Sequence, residues 1–517
     1  MIHPYSYYPA RAARHWPDAI AIIDGERCVT FAELDERANA AAHALLALGL
    51  EPGDRVALIQ QNCLEYVLAV IAIARSGGVL TPVLGALTAP EQAAIVADSE
   101  ARFIVALTPQ HFERAREVAS ASATVLAIGA FAGGEDLLAR TRTPGDPAII
   151  DRPPSELAQI LYTSGTTGRP KGVTHSFASV SAAMNFWAAT FGHTPHDRVL
   201  GQLPLSHFGG RAMDSAWVGG AALVILRDAS PAAVLDAIAA HRVTFMLCVP
   251  TVLRMLLDEP AIDGADHSSL KAIVYAAAPA APALVERAMA RFGPVLHTGF
   301  GQTEAYGLNT FMGPAEHERA LRDGGQRLMS VGRAFANAQV RIADASGAAC
   351  AVGEIGEICV CAPWTTPGFW RRPELDAERL RDGWLRTGDL GRMEEDGFVY
   401  LADRKEDMII SGGYNVYPAE VEHALMAHAA VAECGVFAAP DPKWGEAVYA
   451  AVVLRPDCSV SEHELIAFVK SRLAPFKAPK RIEFMAALPK TPVGKILRRT
   501  LREPFWTGHD RAIHGAQ

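Results

Sequence analysis

Short apolar runs typical of buried strands recur in the first part of the chain, and longer alanine-rich segments separate them. Strands that alternate with helical segments predict an α/β fold built from layers of largely parallel sheet. The capping box Thr30-Phe31-Ala32-Glu33 opens one helix, which we expect to end near Leu48, before Gly49. The clearest strand candidates are 56–59 (VALI), 102–107 (RFIVAL), 223–226 (LVIL), 243–249 (VTFMLCV) and 272–275 (AIVY).

The length of 517 residues is too great for one hydrophobic core, so we expect two or more domains. From Gly353 onward, glycine interrupts the strand candidates GEIGEICV and DGFVYLA, which favours an antiparallel β-subdomain. The charge density rises at 403–407 (DRKED), and enough helix and strand follow for a small α+β domain. We therefore predict a large N-terminal domain over 1–402, a hinge over 403–407 and a small mobile C-terminal domain over 408–517.

The composition excludes several classes of protein. Apolar residues make up 50% of the chain and charged residues 20%, which is typical of a globular enzyme and argues against extended disorder. The net charge of −9 argues against a general nucleic-acid binder. The segment 470–499 has nine Lys or Arg residues and one acid. Charge alone does not distinguish a basic binding surface from a solvated basic face. The eight scattered cysteines form no C-x-x-C pair, which favours free thiols in a reducing compartment over a zinc site.

The chain begins without an apolar leader, and its longest apolar run, Tyr66 to Ala74, is too short to cross a bilayer. We therefore expect a cytoplasmic protein with no membrane span. We expect a homodimer as one form of assembly, although no sequence motif indicates it.

Residues 162–173, YTSGTTGRPKGV, form a glycine-rich loop behind an apolar strand candidate, 157–162. Alternating hydroxyl residues and glycines expose backbone N–H and O–H donors, and Lys171 adds a positive charge, so the loop suits polyphosphate. The Walker A spacing G-x-x-x-x-G-K-[ST] does not fit, because Gly165 and Gly168 are three apart and Gly172 follows Lys171. This mismatch excludes a P-loop kinase or GTPase.

Four further segments follow this loop in order: GFGQTEAYG (299–307), WLRTGDLG (384–391), DRKEDMIISGGYNVYPAEVE (403–422) and LPKTPVGKILRR (488–499). Each is weak alone, but the ordered set resembles the adenylate-forming (ANL) acyl-CoA synthetase family over nearly the whole chain. The resemblance implies an acid–thiol ligase in which ATP and a carboxylic acid give an acyl adenylate and pyrophosphate. Coenzyme A would then displace AMP to give a thioester.

Adenylate formation brings a carboxylate to a triphosphate, so neutralising negative charge is its main requirement. By resemblance, Glu304 would bind Mg²⁺ together with Thr163, Thr303 would contact the α-phosphate, and Lys495 would bridge the carboxylate and the α-phosphate. The residues implied to hold the β- and γ-phosphates are Thr163, Ser164, Gly165, Thr166, Thr167, Gly168 and Lys171.

The implied nucleoside contacts each have a structural alternative. Phe300, with Gly301 and Gln302, would lie against adenine, or Phe300 would be a core aromatic. Asp389 would accept from the ribose hydroxyls, or be a buried turn aspartate, and Arg404 would be the second ribose contact, or one charge in a solvated run.

Thioester formation requires the lysine to leave the site. The family achieves this by rotating the small domain about a hinge residue, here Glu406, where lysine or aspartate is commoner. Gly412 and Gly413, within ISGGYN, would then line the pantetheine tunnel, or form a β-turn. Trp444 would pack on the CoA nucleotide, and Phe476, Lys477, Lys480 and Arg481 are candidates for its phosphates.

The acyl pocket is implied between the LPLSH segment and the strand that precedes FGQTE. His207 is the gate candidate beside the carboxylate, with a core histidine as its alternative. Arg211 either pairs with a distal carboxylate of the substrate or with Asp214, and the spacing of three favours Asp214. The further lining candidates are Phe208, Gly209, Gly210, Ala276, Ala277 and Gly299.

These residues predict an ATP- and Mg²⁺-dependent ligase for a fatty or aromatic acid, with coenzyme A as the acceptor. One alternative is an acyl-AMP ligase that loads a carrier protein, against which the CoA-ligase form of ISGGYNVYPAEVE argues. The other is an inactive relative that acts as a binding protein, against which the presence of Lys495, Glu304, Asp389 and Arg404 argues.

Overall fold

The structure is a computed structural model that describes residues 3–129, 137, 150–163, 170–278, 280–404, 407–411, 414–441, 444–490 and 496–506. The helices are α1 (Pro4–His15), α2 (Phe31–Ala47), α3 (Leu64–Arg75), α4 (Ala89–Ser99), α5 (Pro109–Val118), α6 (Phe177–Phe191), α7 (Gly210–Gly219), α8 (Pro231–His241), α9 (Pro250–Asp258), α10 (Pro282–Phe292), α11 (Pro314–Arg322), α12 (Pro373–Arg379), α13 (Pro418–Met426), α14 (Glu462–Lys470) and α15 (Arg498–Trp506). Short 3₁₀ turns occupy Pro260–Asp263, Thr303–Ala305 and Gln326–Met329.

The strands of the first 300 residues are β1 (Ile20–Asp24), β2 (Arg27–Thr30), β3 (Arg55–Gln60), β4 (Val79–Leu84), β5 (Phe103–Ala106), β6 (Thr124–Ala127), β7 (Leu157–Thr163), β8 (Lys171–Ser176), β9 (Arg198–Gly201), β10 (Ala222–Ile225), β11 (Phe245–Cys248), β12 (Ala272–Tyr275) and β13 (Leu296–Thr298). Those that follow are β14 (Gly301–Gln302), β15 (Gly307–Leu308), β16 (Thr310–Phe311), β17 (Arg333–Ala334), β18 (Gln339–Ala343), β19 (Gly356–Cys361), β20 (Gly368–Phe369), β21 (Leu380–Arg381), β22 (Trp384–Met393), β23 (Val399–Arg404), β24 (Ile409–Ser411), β25 (Tyr414–Val416), β26 (Val431–Asp441), β27 (Gly445–Leu454) and β28 (Arg481–Phe484).

Two seven-stranded sheets form the large N-terminal part. The first has the order β20-β8-β7-β4-β3-β5-β6, with parallel pairing from β7 to β6 and antiparallel pairing at β8 and β20. The second has the order β13-β12-β11-β9-β10-β1-β2, and only β2 pairs antiparallel. The predicted layers of largely parallel sheet are confirmed.

The main apolar core joins both seven-stranded sheets to the helices that pack against them. Every residue of helix α3 except Glu65 is buried, as expected for a mostly apolar helix that lies between layers. Its last residue, Arg75, is fully buried and is ion-paired with Asp35, which satisfies the buried charge. The apolar run that the sequence excluded as a membrane span is therefore a core helix.

Thr30 caps α2 as predicted. Its side chain accepts from the N–H of Glu33, and the Glu33 carboxylate accepts from the Thr30 N–H, which forms the reciprocal capping box. The helix ends at Ala47, and Gly49 takes the positive φ of 85° that ends the segment.

Beyond the parallel sheets the pairing changes to antiparallel, as the glycine-punctuated sequence predicted. Strands β18-β19-β22-β21, with β23 on β22, form one antiparallel sheet. A last sheet, β25-β24-β27-β26 with β28 parallel to β27, has an apolar core of its own beneath α13 and α14. No helix in the described part of the chain is long and apolar enough to span a membrane.

The C-terminal sheet contacts the N-terminal part through a charged pair. Arg254, on α9, donates to the carbonyl of Ala432 at 2.8 Å and to the carboxylate of Glu433 at 2.7 Å. The other oxygen of Glu433 lies 2.7 Å from Lys490 Nζ. Because about a fifth of each side chain of the Arg254–Glu433 pair is exposed, solvent screens the pair only in part.

Replacing Arg254 should loosen this contact. We expect Arg254→Met to remove about 1 kcal/mol of contact between the two parts. Trypsin should then cleave after Arg404 or Lys405, in the predicted hinge, about fivefold faster, as measured by intact-mass spectrometry of a timed digest.

Lys271→Met is the matched control, because it removes another ion-paired cation, here bound to Asp197 within the N-terminal part. Equal cleavage rates in Arg254→Met and the wild type would show that the contact does not restrain the C-terminal sheet.

Candidate active site

The topology places several of the predicted segments at one edge of the second sheet. Strands β9, β11, β12 and β13 are parallel, so their carboxyl ends meet at the same edge. Residues 202–209, 276–277 and 299–304 leave the sheet there. The crevice outside the carboxyl ends of parallel strands is where open α/β sheets bind ligands.

Thr303 and Glu304 lie in the turn of a tight hairpin. Strand β14 pairs antiparallel with β15, with Gln302 opposite Gly307, so that 303–306 form the connecting turn. A Cβ at Gly301 would collide with the carbonyl oxygen of Gly307, because the two backbones touch there. Glycine is therefore required at 301 by the hairpin itself, whatever its predicted nucleotide contact.

The side chains of Thr303 and Glu304 are half-buried. Among the described residues neither has a hydrogen-bond or ion-pair partner. A carboxylate left free in this way fits Mg²⁺, which is held in proteins by one or two carboxylates together with substrate phosphates. No group of three or more metal-ligating side chains exists in the described residues, so a cage made of protein ligands alone is absent from that part of the chain.

The predicted phosphate loop connects β7 to β8. Thr163 ends β7, Lys171 begins β8, and the two residues are paired across the antiparallel ladder. Lys171 is half-buried and has no acidic partner among the residues that the structure describes, which leaves its charge available to an anion. Residues 164–169 lie outside the described residues.

His175, on β8, is a site residue that the sequence reasoning missed. It is fully buried, and its Nε2 lies 2.9 Å from the carbonyl oxygen of Thr303. Because a carbonyl can only accept, Nε2 carries the proton, and burial lowers the pKa of His175 to about 3, so the ring is neutral. The bond ties the strand after the phosphate loop to the turn of Glu304. Its only sequence signal was its place four residues after Lys171.

The two ribose candidates are neighbours in the antiparallel sheet. Asp389, on β22, is paired in the backbone ladder with Arg404, at the end of β23. Gln302 Nε2 donates to Asp389 Oδ2 at 2.9 Å, which links the hairpin to the antiparallel sheet and orients the carboxylate. The Arg404 side chain is not among the described features, so its ribose contact stays a prediction.

Phe300 is 6% exposed and packs among Ile342, Ile358, Val360 and Val399. This is the core-aromatic alternative that the sequence left open. The predicted contact of Phe300 with adenine stays a prediction, and the geometry favours its packing role.

Among the acyl-pocket candidates, two glycines are required by the backbone, and the two alanines differ in exposure. Gly210 and Gly299 are required by close backbone contacts, since a Cβ would collide with the carbonyls of Leu205 and Thr310 respectively. Ala276 is buried, whereas Ala277 is exposed and takes a φ of 72°, a left-handed conformation that disfavours residues with a Cβ.

His207 and Phe208 are half-buried at the turn before α7. His207 Nδ1 lies 2.8 Å from the Ser206 hydroxyl, a bond that fixes the ring orientation. Both the gate role and the core role of His207 remain compatible with this position.

Arg211 is 6% exposed, and its Nε lies 3.1 Å from Asp214, the partner that the spacing favoured. Its guanidinium also lies 3.5 Å from the centre of the Tyr306 ring. Because Asp214 pairs with the Arg211 guanidinium and the Tyr306 ring covers it, Arg211 is not placed to bind a substrate carboxylate.

The predicted CoA surface is aromatic and basic. Strands β24 and β25 pair with Ser411 opposite Tyr414, so that 412–413 connect them. Tyr414 is 59% exposed and stacks on Phe476 at 4.7 Å.

Lys480 Nζ lies 5.7 Å from the ring of Trp444, which is 39% exposed. In contrast, Lys477 is bound by both oxygens of Glu420 and is a weaker phosphate candidate than the sequence indicated. Arg481 is likewise ion-paired, with Glu483.

Several predicted residues lie outside the described residues, and their roles stay predictions. They are Ser164, Gly165, Thr166, Thr167, Gly168, Glu406, Gly412, Gly413 and Lys495.

Comparison with known proteins gives the family. The sequence model described as AMP-binding enzyme matches residues 9–370, and that described as AMP-binding enzyme C-terminal domain matches residues 420–495. The fatty acid–[acyl-carrier-protein] ligase ScoC of Streptomyces coeruleorubidus is 35% identical over 509 residues, which cover 97% of this chain and 96% of ScoC. A feruloyl-CoA synthase of Amycolatopsis sp is 36% identical over 503 residues, which cover 96% of this chain and 98% of that protein.

Comparison with solved structures agrees with the comparison of sequences. The solved structure of the amide bond synthetase McbA from Marinactinospora thermotolerans matches with a TM-score of 0.89 and 34% identity. The match covers 97% of this chain and all of that one. The resemblance predicted from the five ordered motifs is thus confirmed: the chain belongs to the AMP-binding enzyme family of adenylate-forming acyl-CoA synthetases.

Proposed function

We propose that the protein is an ATP- and Mg²⁺-dependent ligase that activates a fatty or aromatic monocarboxylic acid as its adenylate and transfers the acyl group to coenzyme A. The observation that carries this proposal is the Thr303–Glu304 turn. It presents a carboxylate with no hydrogen-bond or ion-pair partner among the described residues, and His175 ties the turn to the strand that follows the phosphate loop.

Adenylate formation requires positive charge around the triphosphate, because an anionic acid attacks an anionic phosphate. Glu304 would hold Mg²⁺, which would supply most of this positive charge to the phosphates. Lys171 would add a second positive charge at the mouth of the phosphate loop. Asp389, oriented by Gln302, would accept from the ribose hydroxyls and fix the sugar.

The acid is proposed to be a monocarboxylate because the arginine near the pocket is already engaged. Arg211 is ion-paired with Asp214 and covered by Tyr306, so no positive charge from that side chain awaits a second carboxylate. A monocarboxylic acid has no second carboxylate that would need a positively charged partner in the pocket.

Coenzyme A is the proposed acceptor because aromatic and basic side chains lie on β25 and on the segments next to β24 and β27. Tyr414, Phe476, Trp444 and Lys480 offer flat rings and a cation, which suit an adenine ring and its phosphates. We also propose that the small domain begins after 403–407 and turns about Glu406 between the two half-reactions.

Two relatives favour other acceptors. ScoC is named for ligation to an acyl carrier protein, and McbA is named an amide bond synthetase. A carrier-protein thiol or an amine is therefore the second candidate for the acceptor, after the same first half-reaction.

The experiment that tests the function is a mass-spectrometric assay. The full chain would be incubated with ATP, Mg²⁺ and a mixed pool of fatty, aromatic and dicarboxylic acids, with and without coenzyme A. We expect a CoA-dependent thioester of a fatty or an aromatic monocarboxylate. An acyl adenylate that is not consumed by coenzyme A would move the acceptor to a carrier protein or an amine. Absence of both products would overturn the proposal.

Lys495→Ala should abolish adenylate formation but leave thioester formation from supplied acyl adenylate intact. The reason is that the lysine charge is needed only while the acid attacks the α-phosphate. The two half-reactions are measured separately, as pyrophosphate release and as thioester yield. Loss of both to the same extent would show that Lys495 has another role.

Gly413→Leu should give the opposite result, with normal pyrophosphate release and little thioester, because a branched side chain would block a thin pantetheine tunnel. Gly445→Leu is a control at a glycine of the same sheet, where a Cβ would meet no atom within 4 Å. Gly445 takes a φ of 75°, so this variant also reports the cost of a branched side chain at a left-handed backbone position. Normal CoA turnover in Gly413→Leu would remove the tunnel assignment.

A further inference from the structure

The turn that presents Glu304 is held by groups from outside its own hairpin. His175 Nε2 donates to the carbonyl of Thr303 at 2.9 Å, and the backbone N–H of Thr366 donates to the carbonyl of Glu304 at 2.7 Å. These donors belong to β8 and to the loop after β19. The backbone on either side of the Glu304 side chain is therefore fixed by two separate parts of the fold.

Tyr306 is the corner of the same turn. It takes a φ of 51°, a left-handed conformation that residues with a Cβ adopt only when their surroundings hold them there. Its carbonyl accepts from Arg211 Nη1 at 3.2 Å, and the Arg211 guanidinium lies 3.5 Å from the centre of its ring. Its hydroxyl lies 2.6 Å from the hydroxyl of Tyr5. Both the backbone and the ring of Tyr306 are thus restrained.

Arg211 is itself fixed by a buried ion pair. Arg211 and Asp214 are 6% and 0% exposed, and Arg211 Nε lies 3.1 Å from the carboxylate. Burial raises the pKa of Asp214 to about 6, and the neighbouring Arg211 guanidinium opposes that rise. A buried charged pair holds its geometry firmly, because moving either partner leaves the other charge without compensation.

We propose that Arg211, with Tyr5 behind Tyr306, is a positioning residue for Glu304: through Tyr306 it fixes the turn so that the Glu304 carboxylate meets magnesium bound to ATP. The inference rests on the proposed function, since it needs Glu304 to be the magnesium ligand. It assigns Arg211 and the N-terminal helix α1 a supporting role in nucleotide binding that acts through Tyr306.

The test measures binding of ATP by isothermal titration calorimetry without any carboxylic acid, once with Mg²⁺ and once with EDTA. Tyr5→Phe removes one hydroxyl from the Tyr5–Tyr306 pair, and the paired variant Arg211→Met with Asp214→Leu removes both buried charges at similar volume. We expect the dissociation constant for Mg·ATP to rise about fivefold in Tyr5→Phe and at least about tenfold in the paired variant.

Two readouts separate positioning from general loss of structure. Binding of ATP in EDTA should change less than about twofold in both variants, because only the metal-dependent part of the affinity depends on Glu304. The KM for the acid should likewise stay within about twofold.

Tyr275→Phe is the matched control. Tyr275 is 3% exposed, and its hydroxyl lies 2.8 Å from His317 Nε2, so the variant also loses one buried hydrogen bond. Its hydroxyl is bonded to α11 rather than to the turn, so the variant should bind Mg·ATP as the wild type does.

Unchanged Mg·ATP affinity in both turn variants would overturn the inference, as would an equal loss in EDTA or in Tyr275→Phe. Failure of the proposed function has a different signature, because the wild type would then form no adenylate or would bind ATP equally well with Mg²⁺ and with EDTA.

Discussion

The hydrogen bond from His175 to the Thr303 carbonyl joins the first seven-stranded sheet to the hairpin that follows the second. His175 belongs to the first seven-stranded sheet, and the hairpin of Thr303 follows the last strand of the second. Thr366 adds a bond from the loop after β19, and Gln302 adds one to Asp389 on β22. The turn at 303–306 is therefore where three sheets meet, and its geometry depends on all of them.

Burial decides the chemistry of that junction. Because water is excluded around His175, the ring is neutral at any physiological pH and keeps one N–H to donate. A protonated ring would place a positive charge under the turn and compete with a bound cation. The Arg211–Asp214 pair is also buried, and its opposite charges largely cancel, so the pair adds rigidity with little net field.

Much of the architecture was predictable from local pattern. The apolar runs predicted β3, β5, β10, β11 and β12 to within about two residues, and the Thr30 capping box predicted the start of α2. The predicted β-subdomain and C-terminal sheet are present, and the ordered motifs identified the family. These features depend on residues that are neighbours in sequence, which is why pattern reading reached them.

The support of the site was not predictable. His175 and Thr303 are 128 positions apart, and Tyr5 and Tyr306 are 301 apart, so no local spacing signals either contact. Phe300 shows a related difficulty, because its motif position indicated adenine while its surroundings make it part of a core. Gly301 and Gly299 were assigned to ligands by motif, whereas backbone contacts already require glycine at both positions.

Glu433 connects two regions that the proposed rotation of the small domain would move apart. One carboxylate oxygen binds Arg254 of the N-terminal part, and the other binds Lys490, which opens the segment that leads to Lys495. Any motion that withdraws this segment must therefore either break the contact between Arg254 and Glu433 or move Arg254 with it. Partly exposed ion pairs weaken as dissolved ions screen them. In the proposed rotation of the small domain, the ionic strength of the surroundings would act on the balance between its two arrangements, with no change to any group that touches a substrate.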